Sequence, residues 1–318
     1  MFDRLIHADW STSDRKKWMA AAERTAGGWQ VSAPRQVQSV SELINCWLFE
    51  SGRTVLAGFD FPIGLPAVFG RRTGFRDFPE ALSQFGSGEW KDFFVVADRP
   101  EDISLRRPFY PQTYPRGRRT ADLLSALGVD TMDGLLRACE RATRCRPAAC
   151  SVFWTLGGNQ VGKAAIDGWQ ALIRPALRRG AHLWPFGGRL DQLSQSEGCV
   201  LCETYPREAY CHVGVRFRPG GGKRVQEDRR CAGASLIGWA ESRGVRFADD
   251  AREDLLHGFG PSKSGEDPFD ALVGLLGMIE VVDGRRDEGG SSAADGAWEG
   301  WILGQDPSGL LNGDLRDL

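Results

Sequence analysis

Four carboxylate positions share one placement. Asp9 ends the apolar run Leu5-Ile6-His7-Ala8, Asp60 ends Val55-Leu56-Ala57-Gly58-Phe59, and Glu203 ends Cys199-Val200-Leu201-Cys202. The fourth position is a pair, Asp267 and Asp270, which opens the apolar stretch from Pro268 to Val282. In open α/β sheets ligands bind beyond the carboxyl ends of the strands, so acids at three strand ends can converge on one crevice. Like charges that close repel one another unless a cation holds them. A hard, all-oxygen donor set selects Mg²⁺ or Mn²⁺. Asp267 and Asp270 are three residues apart and share a helix face. Pro268 stands between them at an early helix position, where its missing N–H costs little. Each acid also has a local reading. Asp9, just ahead of Ser11 and Thr12, and Asp60, just ahead of Pro62, can open turns, and Asp267 can cap its helix. The shared placement favours a common metal or catalytic site, because a capping Asp need not follow a buried strand each time.

The elements that must position these acids can be read from periodicity. Leu5 to Trp10 and Trp29 to Ala33 read as strands. Thr54 to Phe61 is a nearly continuous apolar run, as a buried parallel strand requires, and it stops at Pro62 and Gly64. Val40 to Phe49 has helical spacing, with Ser41 as its cap. Residues 66 to about 120 read as irregular. Helices are expected near 120–127, 132–143 and 163–179, and strands at Ala181 to Phe186 and Cys199 to Tyr205. Pro206 to Val213 begins a short helix. Gly220-Gly221-Gly222 among charges marks 216–228 as a mobile loop. Helices near 228–243 and 249–257 precede the apolar helix from Asp267 to Val282. A Gly, Ser and Asp linker covers 283–297, and Glu299 to Leu303 returns as a short final strand. Strands alternating with helices predict an α/β layered fold with a mostly parallel sheet.

These segments resemble a known pattern. Ile6-His7-Ala8-Asp9, Gly58-Phe59-Asp60-Phe61-Pro62-Ile63-Gly64-Leu65-Pro66, Glu203-Thr204-Tyr205-Pro206 and Asp267-Pro268-Phe269-Asp270-Ala271-Leu272 are similar to motifs of domain-of-unknown-function family 429. That family is described as predicted nucleases with a ribonuclease H-like fold. Gln160-Val161-Gly162 and Glu299-Gly300-Trp301-Ile302 resemble its minor motifs, so the likeness runs from about residue 5 to 304. The resemblance implies one ribonuclease H-like α/β domain over 1–318, a central mixed sheet flanked by helices, with insertions at about 66–150 and 214–227. It implies that Asp9 is the first-strand carboxylate, that Asp60 and Glu203 are strand-end carboxylates, and that Asp270 is the acid on the last helix with Asp267 close by. The arrangement is similar to that of RuvC-type resolvases, which carry two acids three apart on their last helix.

Other features stand beside the acids. Arg106-Arg107-Pro108-Phe109-Tyr110 and Tyr114-Pro115-Arg116-Gly117-Arg118-Arg119 form a basic, aromatic stretch. Arg neutralises phosphates and aromatic rings stack on bases, so Arg106, Arg107, Arg116, Arg118 and Arg119 are candidates for substrate binding, with a solvated loop as the plain alternative. Lys163 after Gly162 can meet an anion at a helix start, or can be a surface lysine. Cys199-x-x-Cys202 with Cys211-His212 has only partial zinc spacing, and residues three apart on a strand point to opposite faces. Gly220-Gly221-Gly222-Lys223 lacks the Ser or Thr that completes a phosphate loop.

Bulk composition bounds the rest. The 318 residues are 42% hydrophobic, enough for a large core, and the net charge of -2 excludes a uniformly basic coat for nucleic acid. A local basic groove stays open, because the chain holds 40 Lys and Arg. No apolar run reaches the roughly 18–20 residues of a membrane span, and the N-terminus lacks a signal-type core, so the expectation is a cytoplasmic protein. The eight cysteines read as free, buried thiols. Three functions follow in order. The first is a Mg²⁺- or Mn²⁺-dependent phosphodiester hydrolase acting on DNA or RNA, with Asp9 shared between two cations. The second is a ribonuclease H-like nucleic-acid-binding or regulatory module without activity. The third, phosphoryl transfer from ATP, lacks the duplicated domain and Gly-rich loops it needs.

Overall fold

The computed structural model describes residues 1–110, 120–156, 160–196, 198–261, 263–290 and 295–310. The chain divides into two compact units. The first comprises Met1–Asp60, Ala176–Gly289 and Ile302–Gln305, and the second Phe61–Pro175, Gly290–Trp301 and Asp306–Leu318.

The first unit is built on a mixed sheet of eight strands among the described residues: β1 (Arg4–Asp9), β2 (Trp18–Thr25), β3 (Gly28–Val31), β4 (Arg35–Gln36), β5 (Val55–Phe59), β6 (His182–Leu183), β7 (Cys199–Glu203) and β8 (Val245–Phe247). The order is β6-β7-β5-β1-β2-β3-β8, with β4 also paired to β2. β2 runs antiparallel to β1, β3 and β4, whereas β1, β5, β7 and β6 form a parallel run. The fold is therefore α/β with a mixed sheet flanked by helices. β1, β5 and β7 are buried on both faces, as strands of a sheet covered on both sides are. The helix Glu266–Val282 packs on β1, β2 and β5, and Pro268 through Val281 are all buried. A helix apolar all round belongs in a core, which is why it carries so few charges beyond its first turn.

Several sequence-based expectations change. β2 was missed because its Met19-Ala20-Ala21-Ala22 run carries no alternation, yet it is buried against β1 and the long helix. Ser39, not Ser41, caps the segment at Val40: its backbone is extended and its Oγ accepts from the Glu42 N–H at 3.0 Å. That segment soon widens into a π-helical stretch at Leu43–Leu48. The expected final strand at Glu299 to Leu303 reduces to one bridge, Glu203 to Ile302, because the preceding Gly296–Glu299 is helical. Cys46, Cys139, Cys150, Cys199, Cys202 and Cys231 are free thiols, but Cys46 and Cys231 are exposed rather than buried, and Cys145 and Cys211 are not free thiols.

The second unit takes its core from aromatic rings. Phe85 and Phe93 stack at 3.5 Å between centroids, and Phe69, Phe109, Phe153 and Trp169 close around them. Helices at Ala67–Arg72 and Phe78–Gln84 occupy part of the stretch read as irregular. The expected helix at 132–143 is two short 3-10 turns, Met132–Leu135 and Ala138–Glu140. Between them lies Arg137, fully buried, whose guanidinium meets both Glu140 and the Glu299 carbonyl. Among the described residues, no helix is long and apolar enough to cross a membrane.

A carboxylate crevice closed by a lysine

Register decides which strand-end acids meet. Ala8 pairs with Phe59 across the parallel β1–β5 ladder, so the next residues, Asp9 and Asp60, stand side by side on one face. His7 and Gly58 precede them on that face, and the helix Glu266–Val282 covers it. Gly58 is required there: a Cβ would lie 2.5 Å from Thr204 Cγ2 and 2.8 Å from Met278 Sδ. His7 is fully buried, bonds the Ala271 carbonyl through Nδ1 at 2.9 Å, and is held neutral by burial, its pKa lowered to about 4. The same helix presents buried Asp270 toward the two strand-end acids.

Asp9 and Asp60 are half-buried, and each carboxyl stands close enough to shift the titration of the other. Burial, then the charges of Asp60 and Asp270, raise Asp9 well above the usual carboxylate range. Burial also raises Asp60, to about 6, although the Trp10 N–H donates to its Oδ1 at 2.6 Å and opposes the shift. Asp270 is likewise raised by burial, against two donors. Lys223 Nζ donates to Oδ2 and the Tyr210 hydroxyl to Oδ1, so both oxygens are engaged. Burial alone would lower the Lys223 ammonium, but Asp270, Asp9 and Glu266 outweigh it and hold the group above its ordinary value.

The main chain around Lys223 is fixed from the first turn of the helix Gln226–Glu241. Asp228 accepts from the Gly222 N–H at 2.9 Å and pairs with Arg218 at 2.8 Å. Arg229, fully buried, donates to the carbonyls of Lys223, Gly258 and Gly260 at 2.5, 2.8 and 2.8 Å. The segment expected to be a mobile loop is therefore pinned, because a buried guanidinium must find acceptors and takes them from backbone carbonyls.

The other sequence-predicted residues are placed as follows. Glu203 pairs with Phe59, one residue short of Asp60, so its side chain shares the face of Phe59 rather than that of Asp9 and Asp60. Thr204 occupies the site face in its stead, with its Oγ1 buried. Asp267 lies one turn before Asp270, half-buried, and is raised by burial and by Glu266. Arg106 and Arg107 lie in the second unit and are paired there, Arg106 with Glu89 at 2.7 Å and Arg107 with Asp98 at 2.9 Å. Lys163, half-buried near the start of Val161–Gly168, has its pKa lowered by burial. Arg116, Arg118 and Arg119 lie outside the described residues. Burial pushes the Cys199 thiol up to about 12 and raises Cys202 further, which suits inert core thiols.

Sequence reasoning missed Lys223 and Tyr210. The usable signal for Lys223 was a Lys in a Gly-rich turn ahead of Asp228-Arg229, two charges at a helix start that turn out to be buried. No family model matches the chain, and no curated protein or solved structure does either.

As a cation site the trio has the right donors, three hard carboxylates whose mutual repulsion a divalent ion would relieve. The chelate is not preassembled: among the described residues, no three His, Cys, Asp or Glu are already disposed to hold an ion. The Lys223 ammonium takes one oxygen of Asp270.

Proposed function

We propose that the chain is a divalent-metal-dependent phosphodiester hydrolase with a ribonuclease H-like fold, as the likeness to domain-of-unknown-function family 429 implies. The observation that carries the reading is the side-by-side pair Asp9 and Asp60 at adjacent parallel strand ends, with Asp270 of the long helix turned toward it. Asp9, Asp60 and Asp270 would hold Mg²⁺ or Mn²⁺, with Asp267 as an outer partner. When bound, such ions activate water and stabilise the leaving oxygen of a phosphodiester. The protein's own contribution is positional. The Trp10 N–H orients Asp60, the Tyr210 hydroxyl orients Asp270, and neutral His7 fixes the helix against β1 through Ala271.

Nucleic acid, DNA or RNA, is the substrate class the family likeness implies. The ion pairs of Arg106 and Arg107 do not add to that inference, because both guanidinium groups already have carboxylate partners. The test is cleavage of single-stranded, duplex and hybrid nucleic acids by purified protein with Mn²⁺. The reading predicts cutting that requires the ion and vanishes in Asp9→Asn. Equal trace cutting by both proteins would mark the activity as contamination.

One observation favours a second reading. A module that kept the fold and lost the chemistry could neutralise its buried acid with an internal cation, as Lys223 does for Asp270. Metal titration separates the two, since such a module needs no Mg²⁺ or Mn²⁺.

A further inference from the structure

We propose that Lys223 is a tethered cation standing in for the divalent ion, so that metal and lysine compete for Asp270. This rests on the metal-site reading above.

Both oxygens of Asp270 are occupied, one by the Tyr210 hydroxyl and one by Lys223 Nζ. Tyr210 is a neutral donor rooted in the helix Pro206–His212, which packs on the long helix. Lys223 is a charge on a flexible four-carbon stem, and its side chain is 40% exposed against 4% for Asp270. The lysine is therefore the partner that can leave. The anchors hold its main chain and not its stem: Asp228 grips Gly222 N–H, and Arg229 grips the Lys223 carbonyl. Gly220 and Gly222, with φ of +76° and +158°, turn the segment so that the lysine can reach Asp270. A side-chain swing exchanges the occupant of the crevice without unfolding the loop.

An ordinary structural ion pair explains the geometry less well. One ammonium on Asp270 leaves Asp9 and Asp60 still crowded side by side at adjacent strand ends. The pair with buried Asp270 does support the fold, but it engages one carboxylate of the three. The reach of Lys223 into a three-carboxylate crevice makes it a guard against both repulsion and adventitious ions.

The experiment is Mn²⁺ binding to the full chain at fixed pH, read from the electron paramagnetic resonance signal of free Mn²⁺. Lys223→Gln is expected to bind about ten-fold tighter than wild type, the effect of removing a competing charge a few ångströms away. Lys223→Arg should stay near wild type. Asp228→Asn, which unpins the loop without touching the acids, should shift affinity in the Lys223→Gln direction by less. This variant also carries the test if Lys223→Gln misfolds by circular dichroism. Wild-type binding equal to or tighter than that of Lys223→Gln and Asp228→Asn overturns the tethered-cation proposal and leaves the metal site standing. No binding by any of the proteins at millimolar Mn²⁺ overturns both.

Discussion

Gly274→Ala sets two effects of opposite sign against each other. Within a helix, Ala is favoured over Gly by about 1 kcal/mol, so propensity alone predicts a more stable protein. The structure predicts the reverse. A Cβ at 274 would lie 2.2 Å from His7 Cε1, 2.3 Å from Nε2 and 2.5 Å from Nδ1. His7 cannot swing away, because its ring is fully buried and bonded to the Ala271 carbonyl at 2.9 Å. Overpacking of this kind costs roughly 1–3 kcal/mol, and a rigid ring facing main chain belongs at the upper end. Subtracting the propensity gain leaves a loss of about 2 kcal/mol, or a Tm drop of roughly 4–8 °C. Urea unfolding of the two proteins at neutral pH measures it. The pair His7→Ala and His7→Ala/Gly274→Ala supplies the control: with the ring gone, the added methyl should be neutral or stabilising. A Gly274→Ala protein more stable than wild type would refute the claim that the long helix is seated on β1 by this close approach.

Burial lowers His7 to about 4 and raises Asp60 to about 6, so the two act oppositely between pH 6.5 and 4. The unfolded state takes up the histidine proton first, so that group costs stability as pH falls; the folded state takes up the Asp60 proton first, so that group adds stability. Asp60→Asn removes the compensation, and its stability should fall more steeply than wild type from pH 6 to 4, by on the order of 2–3 kcal/mol across the window; parallel curves from denaturant titrations would contradict this. Arg229→Met should lose at least about 3 kcal/mol, because three backbone carbonyls lose a charged donor, and limited proteolysis should then cut within 218–225; unchanged protection would count against the pinning. Glu203→Gln should leave Mn²⁺ affinity within about three-fold of wild type, whereas Asp9→Asn should weaken it at least about ten-fold; equal losses in calorimetric titrations would place Glu203 in the site despite its register.

Asp9 and Asp60 were legible because each closes a run of buried aliphatic residues, and an acid in that position has nowhere to go but the end of the sheet. Helical spacing made the pair Asp267 and Asp270 legible, and the family resemblance singled out Asp270. The face of Glu203 was not. A strand end can be read locally, but which face its last side chain takes depends on one residue of register against β5, a long-range fact. β2 was hidden for a different reason: three alanines suit helix, strand and turn, and only burial between β1 and the long helix decides. Lys223 was least legible, since its partner is 47 residues away and its local sequence reads as a solvated turn. The buried arginine that pins this turn looks in sequence like any helix-start charge.

The most direct measurement is anomalous diffraction from crystals of the protein soaked in Mn²⁺. The account predicts a peak about 2 Å from carboxylate oxygens of Asp9, Asp60 and Asp270, with the Lys223 ammonium displaced from Asp270. An empty crevice with Lys223 still on Asp270 at saturating Mn²⁺, or a peak bound elsewhere in the chain, would contradict it.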